Sequence, residues 1–532
     1  MSVIQIHDLT FAHLGGDALF SHVDLELDSA WRLGLVGRNG RGKTTFLKLL
    51  MGQLEYTGTI TAADSFEYFP VTPENPDRPA LSVARRMIAP FDEWEARMQA
   101  LAEAATPEAM AEYGELQERY AAADGYTIDE LIAAETGKLG IVPQVLERPF
   151  SGLSGGEQVK LMLAALFLKK HRFLLIDEPT DHLDAEGRRL VGRWLAGKSG
   201  FILVSHDRAF LDEAVDHILS INRSDIELQK GNYSSWRHNR TLQDEFELAE
   251  NRKLEAGISR LKAAAERTER WSDKIEKSKK SSGAATYDRG PASVDRGYIG
   301  HQAARMMQRS KSIERRRQGQ IEQKKSLLKN IETVEPLKFP VLLPEKKTLL
   351  TGEGVALCFG PRCLFEGLDF KLEQGDRLAV QGVNGSGKSS LLKLVVGDLA
   401  PTAGRIWRQS GLVTSTLPQD TGFLSGGLRA FAEGEGIDLS LFMTLLRKLD
   451  FEREAFERDI DTYSAGQRKK VCLAASLARP AHLFIWDEPL NYIDVLSREQ
   501  VEQAALASGA TMLFVEHDAA FVQKVATGVL AL

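Results

Sequence analysis

Short apolar runs of three to five residues alternate with longer segments of helical periodicity in two parts of the chain. Leu33–Val36 is such a run, and a glycine-containing loop and the apolar-periodic segment "KTTFLKLLMG" follow it. The same order returns from Leu378–Val380 onwards. Short apolar runs next to glycine loops are typical of buried strands, and apolar residues spaced three and four apart are typical of helices. The pattern predicts an α/β fold.

The two parts are copies of each other. The segment "GLVGRNGRGKTTFLKLLMG" returns as "AVQGVNGSGKSSLLKLVVG", with Lys43 and Lys388 separated by 345 positions (388 − 43). Self-similarity of this kind indicates a duplication. A chain of 532 residues is also too long for one hydrophobic core. We expect two tandem domains of the same fold, at residues 1–235 and 346–532.

The first copy is longer than the second. From Lys43 to Ser154 the chain takes 111 positions (154 − 43), and from Lys388 to Ser464 it takes 76 (464 − 388), a surplus of 35 (111 − 76). The extra residues fall within about 80–146, where the apolar spacing and the helix start "TPEA" predict two helices that meet near Thr106. This helical arm either caps the domain or binds a partner.

Residues 236–345, between the copies, are strongly polar. Positions 251–329 carry 21 Lys and Arg against 9 Asp and Glu, a balance of +12. Because the net charge of the chain is −7, the rest of the chain carries −19 (−7 − 12). The charge pattern and the Gly/Ser-containing middle predict a helical hairpin with its tip at 281–300. A basic element on an acidic body is expected where a protein contacts nucleic acid. The alternative is a solvated coiled coil that serves as a spacer.

Composition excludes several classes of protein. No uncharged apolar run reaches the ~18 residues of a membrane helix, and the start "MSVIQIHDLTF" has no signal-peptide pattern. The three cysteines, Cys358, Cys363 and Cys472, have no metal-ligand spacing. We interpret them as small core residues, although Cys358 and Cys363 could face each other across strands. A cytoplasmic location, in a reducing environment, is expected.

Both glycine loops have the form G-x-x-x-x-G-K-[ST] between a strand and a helix. Such a loop wraps closely around phosphates with its N–H groups inward. Lys43 and Lys388 are expected to reach β- and γ-phosphates, and Thr44 and Ser389 to bind Mg²⁺. The predicted binding residues are Gly37, Asn39, Gly40, Gly42, Lys43, Thr44 and Thr45, and Gly382, Asn384, Gly385, Gly387, Lys388, Ser389 and Ser390.

Paired carboxylates end a further apolar strand in each copy, in "FLLIDEPTDHLD" and "LFIWDEPLNYID". The first acid of each pair, Asp177 or Asp487, is placed to hold the metal, and the second, Glu178 or Glu488, to deprotonate the attacking water of a phosphoryl transfer. Histidines follow another strand, 28 and 29 residues past the glutamates (206 − 178; 517 − 488). We expect these two residues, His206 and His517, to sense the γ-phosphate; a single such histidine would be structural.

The segments "LSGGEQVKLMLAALFL" and "YSAGQRKKVCLAASLA" place a serine and a glycine directly before an amphipathic helix. Backbone N–H groups and the positive helix end would then face an anion. Ser154 and Ser464 each lie 23 residues before the strand-end aspartate (177 − 154; 487 − 464). These segments resemble the ABC signature motif, and each half of the chain resembles an ATP-binding-cassette domain.

The resemblance implies an ATPase with two composite sites, because in that family the domains pack head to tail with ATP between them. Site 1 would unite Gly37–Thr45, Asp177, Glu178 and His206 with Ser464 and Gly466. Site 2 would unite Gly382–Ser390, Gln419, Asp487, Glu488 and His517 with Ser154, Gly155 and Gly156. The implied cofactors are ATP and Mg²⁺, and the implied metal ligands are Thr44, Asp177, Ser389, Gln419 and Asp487. A monomer is expected, since both sites form within one polypeptide.

The two sites are not equivalent. "TLPQD" supplies Gln419 at the place of the family's Q-loop glutamine, whereas "EYFPV" puts Val71 there. The second signature, which serves site 1, also departs from the usual form at Tyr463, Ala465 and Gln467. An aliphatic side chain binds neither metal nor water, so we expect site 1 to be the slower site. Phe359 is the candidate platform for adenine in site 2, and Phe11 and His13 are the candidates in site 1.

The whole chain resembles the ABC-F proteins, which combine two fused ABC domains, an arm and a basic linker. "GLVGRNGRGKTT", "YSAGQRKK", "WDEPLNYIDV" and "GYIGHQAARMMQRSK" are most similar to the Lsa and Vga type of antibiotic-resistance ribosomal protection protein. This resemblance implies entry into the tRNA exit site of the bacterial 70S ribosome in the ATP-bound form. The linker would contact 23S rRNA, displace the peptidyl-site tRNA and release drugs near the peptidyl-transferase centre, and large-subunit proteins near the exit site would be further partners.

Two other functions are compatible with the same motifs. A housekeeping ABC-F translation factor would act on tRNA or stalled ribosomes without a drug. The ATPase subunit of an ABC exporter would need a separate membrane partner and would leave the basic linker without a role. A DNA-repair ATPase would require zinc-binding cysteines or a DNA-binding module, and the sequence shows neither.

Overall fold

A computed structural model describes residues 2–13, 18–104, 106–222, 225–281, 336–338, 340–383, 385–451 and 453–532, together with 305, 308, 311–316, 318–319 and 321. The chain forms two compact units. One comprises Met1–Trp236 and Val334–Leu532, and the other comprises Arg237–Thr333. Asn384 and nearly all of the predicted linker tip lie outside the described residues.

The first domain contains nine strands and nine helices that precede the linker helix, counted over its described residues. The strands are β1 (Val3–Ala12), β2 (Ala18–Asp28), β3 (Arg32–Val36), β4 (Thr57–Thr61), β5 (Ser65–Phe69), β6 (Arg172–Asp177), β7 (Phe201–Val204), β8 (His217–Ile221) and β9 (Ile226–Lys230). The helices are α1 (Lys43–Leu50), α2 (Ala80–Ile88), α3 (Phe91–Ala104), α4 (Pro107–Ala122), α5 (Ile128–Lys138), α6 (Pro143–Leu146), α7 (Gly155–Leu168), α8 (Ala185–Ala196) and α9 (Arg208–Ala214).

Two sheets build this domain. A three-stranded antiparallel sheet has the order β2-β1-β4, and a six-stranded sheet has the order β5-β6-β7-β3-β8-β9. All neighbours in the larger sheet are parallel except β8 and β9. The strands β3, β6 and β7 are nearly continuous apolar runs because both faces of the sheet are covered. Their carboxyl ends therefore bring the predicted site residues to one edge of the sheet.

The second domain repeats this architecture. Its strands are β10 (Thr348–Phe359), β11 (Arg362–Glu373), β12 (Arg377–Gln381), β13 (Ala403–Arg408), β14 (Thr414–Leu417), β15 (Leu483–Asp487), β16 (Met512–Val515) and β17 (Gly528–Ala531). Its helices are α11 (Lys388–Val396), α12 (Leu428–Gly434), α13 (Leu439–Lys448), α14 (Ala465–Ala478), α15 (Val495–Ser508) and α16 (Ala519–Val525). The sheets have the orders β11-β10-β13 and β14-β15-β16-β12-β17. The α/β fold of two tandem domains is as the sequence predicts.

The arm of the first domain consists of α3 and α4, which pack side by side. They meet at Thr106, whose hydroxyl caps α4 by accepting a hydrogen bond from Ala109 N at 3.2 Å. Phe91 and Tyr120 pack edge to face between the two helices. The cap and the aromatic contact explain why the turn lies where the "TPEA" segment predicts it.

The linker unit contains the first half of the predicted hairpin. The helix α10 covers Tyr233–Ser281, 49 residues without interruption, and helical residues recur between 305 and 321. Leu337, Val341 and Leu342, which fall in the predicted linker range 236–345, contact the second domain. Leu337 is buried in that domain's core, and Leu342 N donates a hydrogen bond to Ala481 O at 2.8 Å. No helix among the described residues is long and apolar enough to cross a bilayer.

The interpretation of all three cysteines as core residues is wrong for two of them. Cys358 and Cys363 lie opposite each other in the β10–β11 hairpin and form a disulfide, and Cys363 is exposed. Their positions follow from the hairpin, whose last pairs before the turn are Cys358 with Cys363 and Phe359 with Arg362. Cys472 is buried in the core as predicted.

Candidate nucleotide-binding sites

The glycine loops close over the carboxyl ends of β3 and β12 and lead into α1 and α11. Gly42 and Gly387 cap these helices with positive φ angles of 86° and 99°. A Cβ on Gly42 would come within 2.6 Å of Leu19, and one on Gly387 within 3.1 Å of Leu364. Only glycine fits this conformation and this close packing. The backbone is thereby held in the tight turn that a phosphate-binding loop requires.

The loop lysines are buried and point back into their own loops. Lys43 Nζ donates to Gly37 O at 2.8 Å, and Lys388 Nζ donates to Gly382 O at 2.9 Å. Burial lowers the pKa of both ammonium groups, and nearby carboxylates act against this shift. Both cations are thus preorganised beside the space that phosphates would fill.

Two cavities lie between the domains, and each combines the glycine loop of one domain with the signature segment of the other. The site 1 cavity has a volume of about 570 Å³. Its lining includes His13, Asn39, Gly40, Gly42, Lys43, Thr44, Thr45, Asp177, Glu178, His206, Ser464 and Gly466. The site 2 cavity has a volume of about 1000 Å³. Its lining includes Ser154, Gly155, Gly156, Phe359, Gly385, Gly387, Lys388, Ser389, Ser390, Gln419, Glu488 and His517.

Of the predicted residues not yet placed, Gly37, Gly382 and Asp487 lie beside these cavities, Phe11 lies in the core, and Asn384 is outside the described residues. Gly37 and Gly382 hold the lysines, Asp177 lines site 1, and Asp487 lies at the end of β15 beside Ser389. Phe11 is buried in the core and His13 lines the cavity, so His13 is the better-placed of the two adenine candidates in site 1.

The domains contact each other directly at site 1. Asn39 Nδ2 donates to Tyr492 O at 2.9 Å, and Arg38 pairs with Asp450 at 3.4 Å. The signature residue Gly466 fits against this contact, because an added Cβ would lie 3.0 Å from Tyr492 O. The head-to-tail arrangement is therefore built from contacts between the glycine loop of the first domain and the second domain.

Each signature serine begins its helix with a reciprocal cap. Ser154 N donates to Glu157 Oε2 at 2.8 Å while Glu157 N donates to Ser154 Oγ at 3.3 Å. Ser464 and Gln467 make the same pair of hydrogen bonds at 3.0 Å and 3.2 Å. Gln467 thus replaces glutamate without loss of the capping box. The helix N-termini of α7 and α14 face the two cavities.

The donor set at the loop and strand ends fits Mg²⁺. Thr44 Oγ1 donates to Asp177 Oδ2 at 3.0 Å, and Ser389 hydrogen-bonds with Asp487. Asp487 Oδ1 is buried and has no hydrogen-bond partner among the described residues. Hydroxyl and carboxylate oxygens are the ligands that Mg²⁺ prefers. Burial raises the pKa of Asp487, as expected for a carboxylate whose countercharge would come from a bound cation.

The two glutamates occupy equivalent positions with strained backbones. Glu178 has a φ of 46° and Glu488 a φ of 47°, a region that non-glycine residues seldom adopt. Each carboxylate has one oxygen 3.4 Å from the histidine of its own domain, His206 or His517. The same unusual geometry in both copies holds the glutamates at the edge of the cavities.

The surroundings of the two glutamates differ. Glu488 Oε2 accepts hydrogen bonds from Gln419 Nε2 at 2.9 Å and from Asn491 Nδ2 at 2.5 Å. Burial acts to raise the pKa of Glu488, but hydrogen bonds from His517, Gln419 and Asn491 outweigh it and hold the pKa below its ordinary value. An ionised Glu488 can accept a proton from water at neutral pH.

Site 1 lacks both amides. Val71 stands at the place of Gln419, and Asp181 stands at the place of Asn491. Burial, followed by the Asp181 and Asp177 carboxylates, raises the pKa of Glu178 to about 8. A protonated carboxyl group is a poor base, so this geometry favours slow chemistry at site 1.

Tyr68 is a site residue that the sequence analysis missed. Its hydroxyl donates to Asp177 Oδ2 at 2.9 Å, so this carboxylate accepts from both Tyr68 and Thr44. Burial and the Asp177 carboxylate raise the pKa of the phenol. Tyr68 precedes Val71 by three residues, and the pairing of β5 with β6 could have located it. Similarly, Asp181 was visible as the one charged difference between "DEPTD" and "DEPLN".

Comparisons with known proteins agree with this geometry. The ABC transporter family matches residues 20–181 and 365–491, which together make up more than half of the chain. The ribosome protection protein VmlR of Bacillus subtilis is 32% identical over 390 residues, covering 71% of this chain and 68% of VmlR. The tylosin resistance ATP-binding protein TlrC of Streptomyces fradiae is 28% identical over 554 residues, covering 97% of this chain and 95% of TlrC.

Solved structures show the same fold. The archaeal ribosome recycling factor aABCE1, solved in complex with the archaeal ribosomal stalk protein aP1, matches with a TM-score of 0.59 at 18% identity. The match covers 99% of this chain and 87% of the archaeal chain. The two family matches in one chain, the paired cavities and the relatives lead to one assignment. The chain is an ATPase that belongs to the ABC-F family of ATP-binding proteins.

Proposed function

We propose that the protein is an ATP-dependent ribosome-binding factor that protects the bacterial 70S ribosome from antibiotics. It enters the tRNA exit site with ATP bound and directs its linker toward the peptidyl-transferase centre. There the linker displaces the peptidyl-site tRNA and releases the drug. ATP hydrolysis then lets the factor leave. As a partner of ribosomes it acts in the cytoplasm.

The observation that carries this proposal is that one chain supplies both halves of both composite cavities. Closure around ATP therefore needs no second copy and no separate subunit. The segment between the domains combines a 49-residue helix with the +12 balance of positions 251–329 (21 − 9). A helix of this length extends about 70 Å, and its charge favours a phosphate-rich partner. A relative named as a ribosome protection protein supports the same reading.

The residues of site 2 would perform the hydrolysis. Lys388 and the loop N–H groups hold the phosphates, and Ser154 contributes a helix N-terminus from the first domain. Glu488 takes the proton of the attacking water, and His517 contacts the γ-phosphate. Ser389 with Gln419 and Asp487 would hold Mg²⁺ in site 2, and Thr44 with Asp177 would hold it in site 1. When bound, Mg²⁺ neutralises charge on the β- and γ-phosphates.

Drug susceptibility of a sensitive bacterial host tests this function. Expression of the wild-type chain should raise the inhibitory concentration of a lincosamide, a streptogramin A or a pleuromutilin. The Lys43→Ala, Lys388→Ala double variant, which loses both phosphate-binding lysines, should not. If expression changes none of these values, the drug-release function is wrong and a housekeeping ABC-F translation factor is the better description.

A further inference from the structure

The disulfide between Cys358 and Cys363 lies at the adenine end of site 2. Phe359 and Arg362 form the pair directly before the turn of the β10–β11 hairpin, and the two cysteines form the pair next to it. Both Phe359 and Arg362 line the site 2 cavity, and Phe359 is 56% exposed. The side chain predicted to support adenine is therefore adjacent in sequence to one half of the disulfide.

The hairpin also contacts the phosphate-binding loop. Gly387 packs against Leu364 and Phe365, since an added Cβ would lie 3.1 Å from each of them. On the other side Cys358 N donates to Thr402 Oγ1 at 2.9 Å, which ties β10 to the segment before β13. A change in the hairpin end therefore reaches both the adenine end and the phosphate end of site 2.

Site 1 has no counterpart to this covalent link. The chain has three cysteines, and the hairpin of β1 and β2 in the first domain has none of them. Cys472 is buried, and burial raises the pKa of its thiol to about 11, so it is a poor partner for thiol exchange. Cys363 is exposed and accessible to a reductant. Disulfides of proteins that work among reducing thiols are usually transient and redox-sensing.

We propose that Cys358 and Cys363 form a reversible thiol–disulfide modification site that tunes ATP binding at site 2. A thiolate of a dithiol reductant attacks Sγ of Cys363, the S–S bond breaks, and Cys358 leaves as a thiolate that takes a proton from water. The second thiol of the reductant then displaces Cys363 from the mixed disulfide. Two electrons pass to the disulfide, and the reductant becomes its own disulfide. A low-molecular-weight disulfide drives the reverse reaction.

The oxidised form is the tighter ATP-binding form. The cross-link holds the hairpin end in one arrangement, so that Phe359 is ordered before adenine stacks on it. Reduction frees the two strand ends and adds an ordering step to binding. Glu366 lies beside the two sulfur atoms, but a disulfide leaves no thiolate with which this group could hold a metal ion. The effect rests on ATP binding at site 2 and is independent of the ribosome proposal.

Full-length protein carrying Glu178→Gln, in which turnover reports mainly on site 2, tests the inference. Samples are equilibrated with oxidised or reduced dithiothreitol, and their thiols are counted by alkylation and mass spectrometry. Reduction should raise KM for ATP about three- to tenfold, the size of one aromatic stacking contact, with kcat changed little. A variant with Cys358→Ser and Cys363→Ser should show the higher KM of the reduced protein in both buffers. Cys472→Ser should respond to the buffers like its parent.

Three results would overturn the proposal. The thiol count could show no disulfide in the oxidised sample. KM could be the same in both buffers. The double serine variant could respond to reductant as strongly as its parent, which would place the effect elsewhere. None of these results bears on ribosome binding, so the proposed function can fail or hold separately.

Discussion

Arg208 of the first domain contacts Asp518 of the second: its Nη2 atom lies 3.4 Å from Asp518 Oδ2. Each residue stands close behind a site histidine, since Arg208 follows His206 by two positions and Asp518 follows His517 by one. The Arg208 guanidinium also contacts Glu502, and all three side chains are buried. The loops that carry the two histidines are thereby joined through one ionic cluster at the domain interface.

The cluster is asymmetric, and this asymmetry leads to a first prediction. Ala519 stands in the second domain where Arg208 stands in the first. Arg208→Ala leaves two buried carboxylates without one of their cations, which costs about 3–5 kcal/mol for a buried pair. For Arg208→Ala we expect a thermal midpoint lower by several degrees and a higher KM for ATP. The values for Arg208→Lys should lie between those of the wild-type chain and those of Arg208→Ala. Calorimetry and ATP turnover measure these changes.

Arg193 provides the control for that experiment. It pairs with Glu213 on the surface of the same domain at 3.2 Å, with 60% of its side chain exposed. Arg193→Ala should change stability by less than about 1 kcal/mol. If Arg208→Ala lowers stability no more than Arg193→Ala does, the buried cluster does not stabilise the contact between the domains.

The second prediction concerns the two glutamates. Glu488 accepts two amide hydrogen bonds, whereas the carboxylates of Asp181 and Asp177 lie near Glu178. Glu488→Gln should therefore reduce ATP turnover by about 100-fold or more, and Glu178→Gln should reduce it by much less. The measurement is steady-state phosphate release with both variants saturated with ATP. Equal losses would contradict the inequality of the sites.

The third prediction restores the missing amides. In the Glu488→Gln background, Val71→Gln with Asp181→Asn gives Glu178 the two donors that Glu488 has. The pKa of Glu178 should fall below its value of about 8, leaving the base ionised at neutral pH, and turnover at site 1 should rise about three- to tenfold. The converse variant Asn491→Asp in the wild-type chain should slow site 2. If neither the Val71→Gln, Asp181→Asn pair nor Asn491→Asp changes turnover, these neighbours do not control the protonation of the glutamates.

The fourth prediction concerns Tyr68. Tyr68→Phe removes the hydroxyl that donates to Asp177 at 2.9 Å and keeps the ring in place. Asp177 then has a free lone pair for Mg²⁺, so we expect the Mg²⁺ concentration that half-saturates ATP binding at site 1 to fall. Nucleotide titration of the Glu488→Gln variant against Mg²⁺ measures this effect. If the half-saturating Mg²⁺ concentration rises instead, the Tyr68 hydroxyl assists metal binding.

Much of this architecture can be predicted from the sequence because the two copies of the domain can be aligned with each other. The register of "GKTT" with "GKSS", and of the two strand-end acid pairs, places the glycine loops, the acids and the histidines at the carboxyl edge of a sheet. Pairing of one domain's loop with the other domain's signature is implied by the family resemblance, and the cavities have this composition. The start of α4 directly after Thr106 was also predictable, because its cap is local.

What the sequence did not reveal depends on contacts between distant segments. The Tyr68 hydroxyl reaches Asp177 across 109 positions, and Arg208 reaches Asp518 across 310. No local pattern distinguishes such side chains from solvent-exposed ones. The disulfide was missed for a different reason: Cys358 and Cys363 are five positions apart, and the register of the hairpin around its turn decides whether they face each other.

Co-sedimentation with bacterial 70S ribosomes tests the central claim most directly. The Glu178→Gln, Glu488→Gln double variant should keep ATP bound and the two domains closed. We expect it to pellet with ribosomes when ATP is present and to remain in the supernatant without ATP, with binding that weakens as salt rises because the linker is basic. If the variant binds ATP yet stays in the supernatant, the ribosome is not its partner.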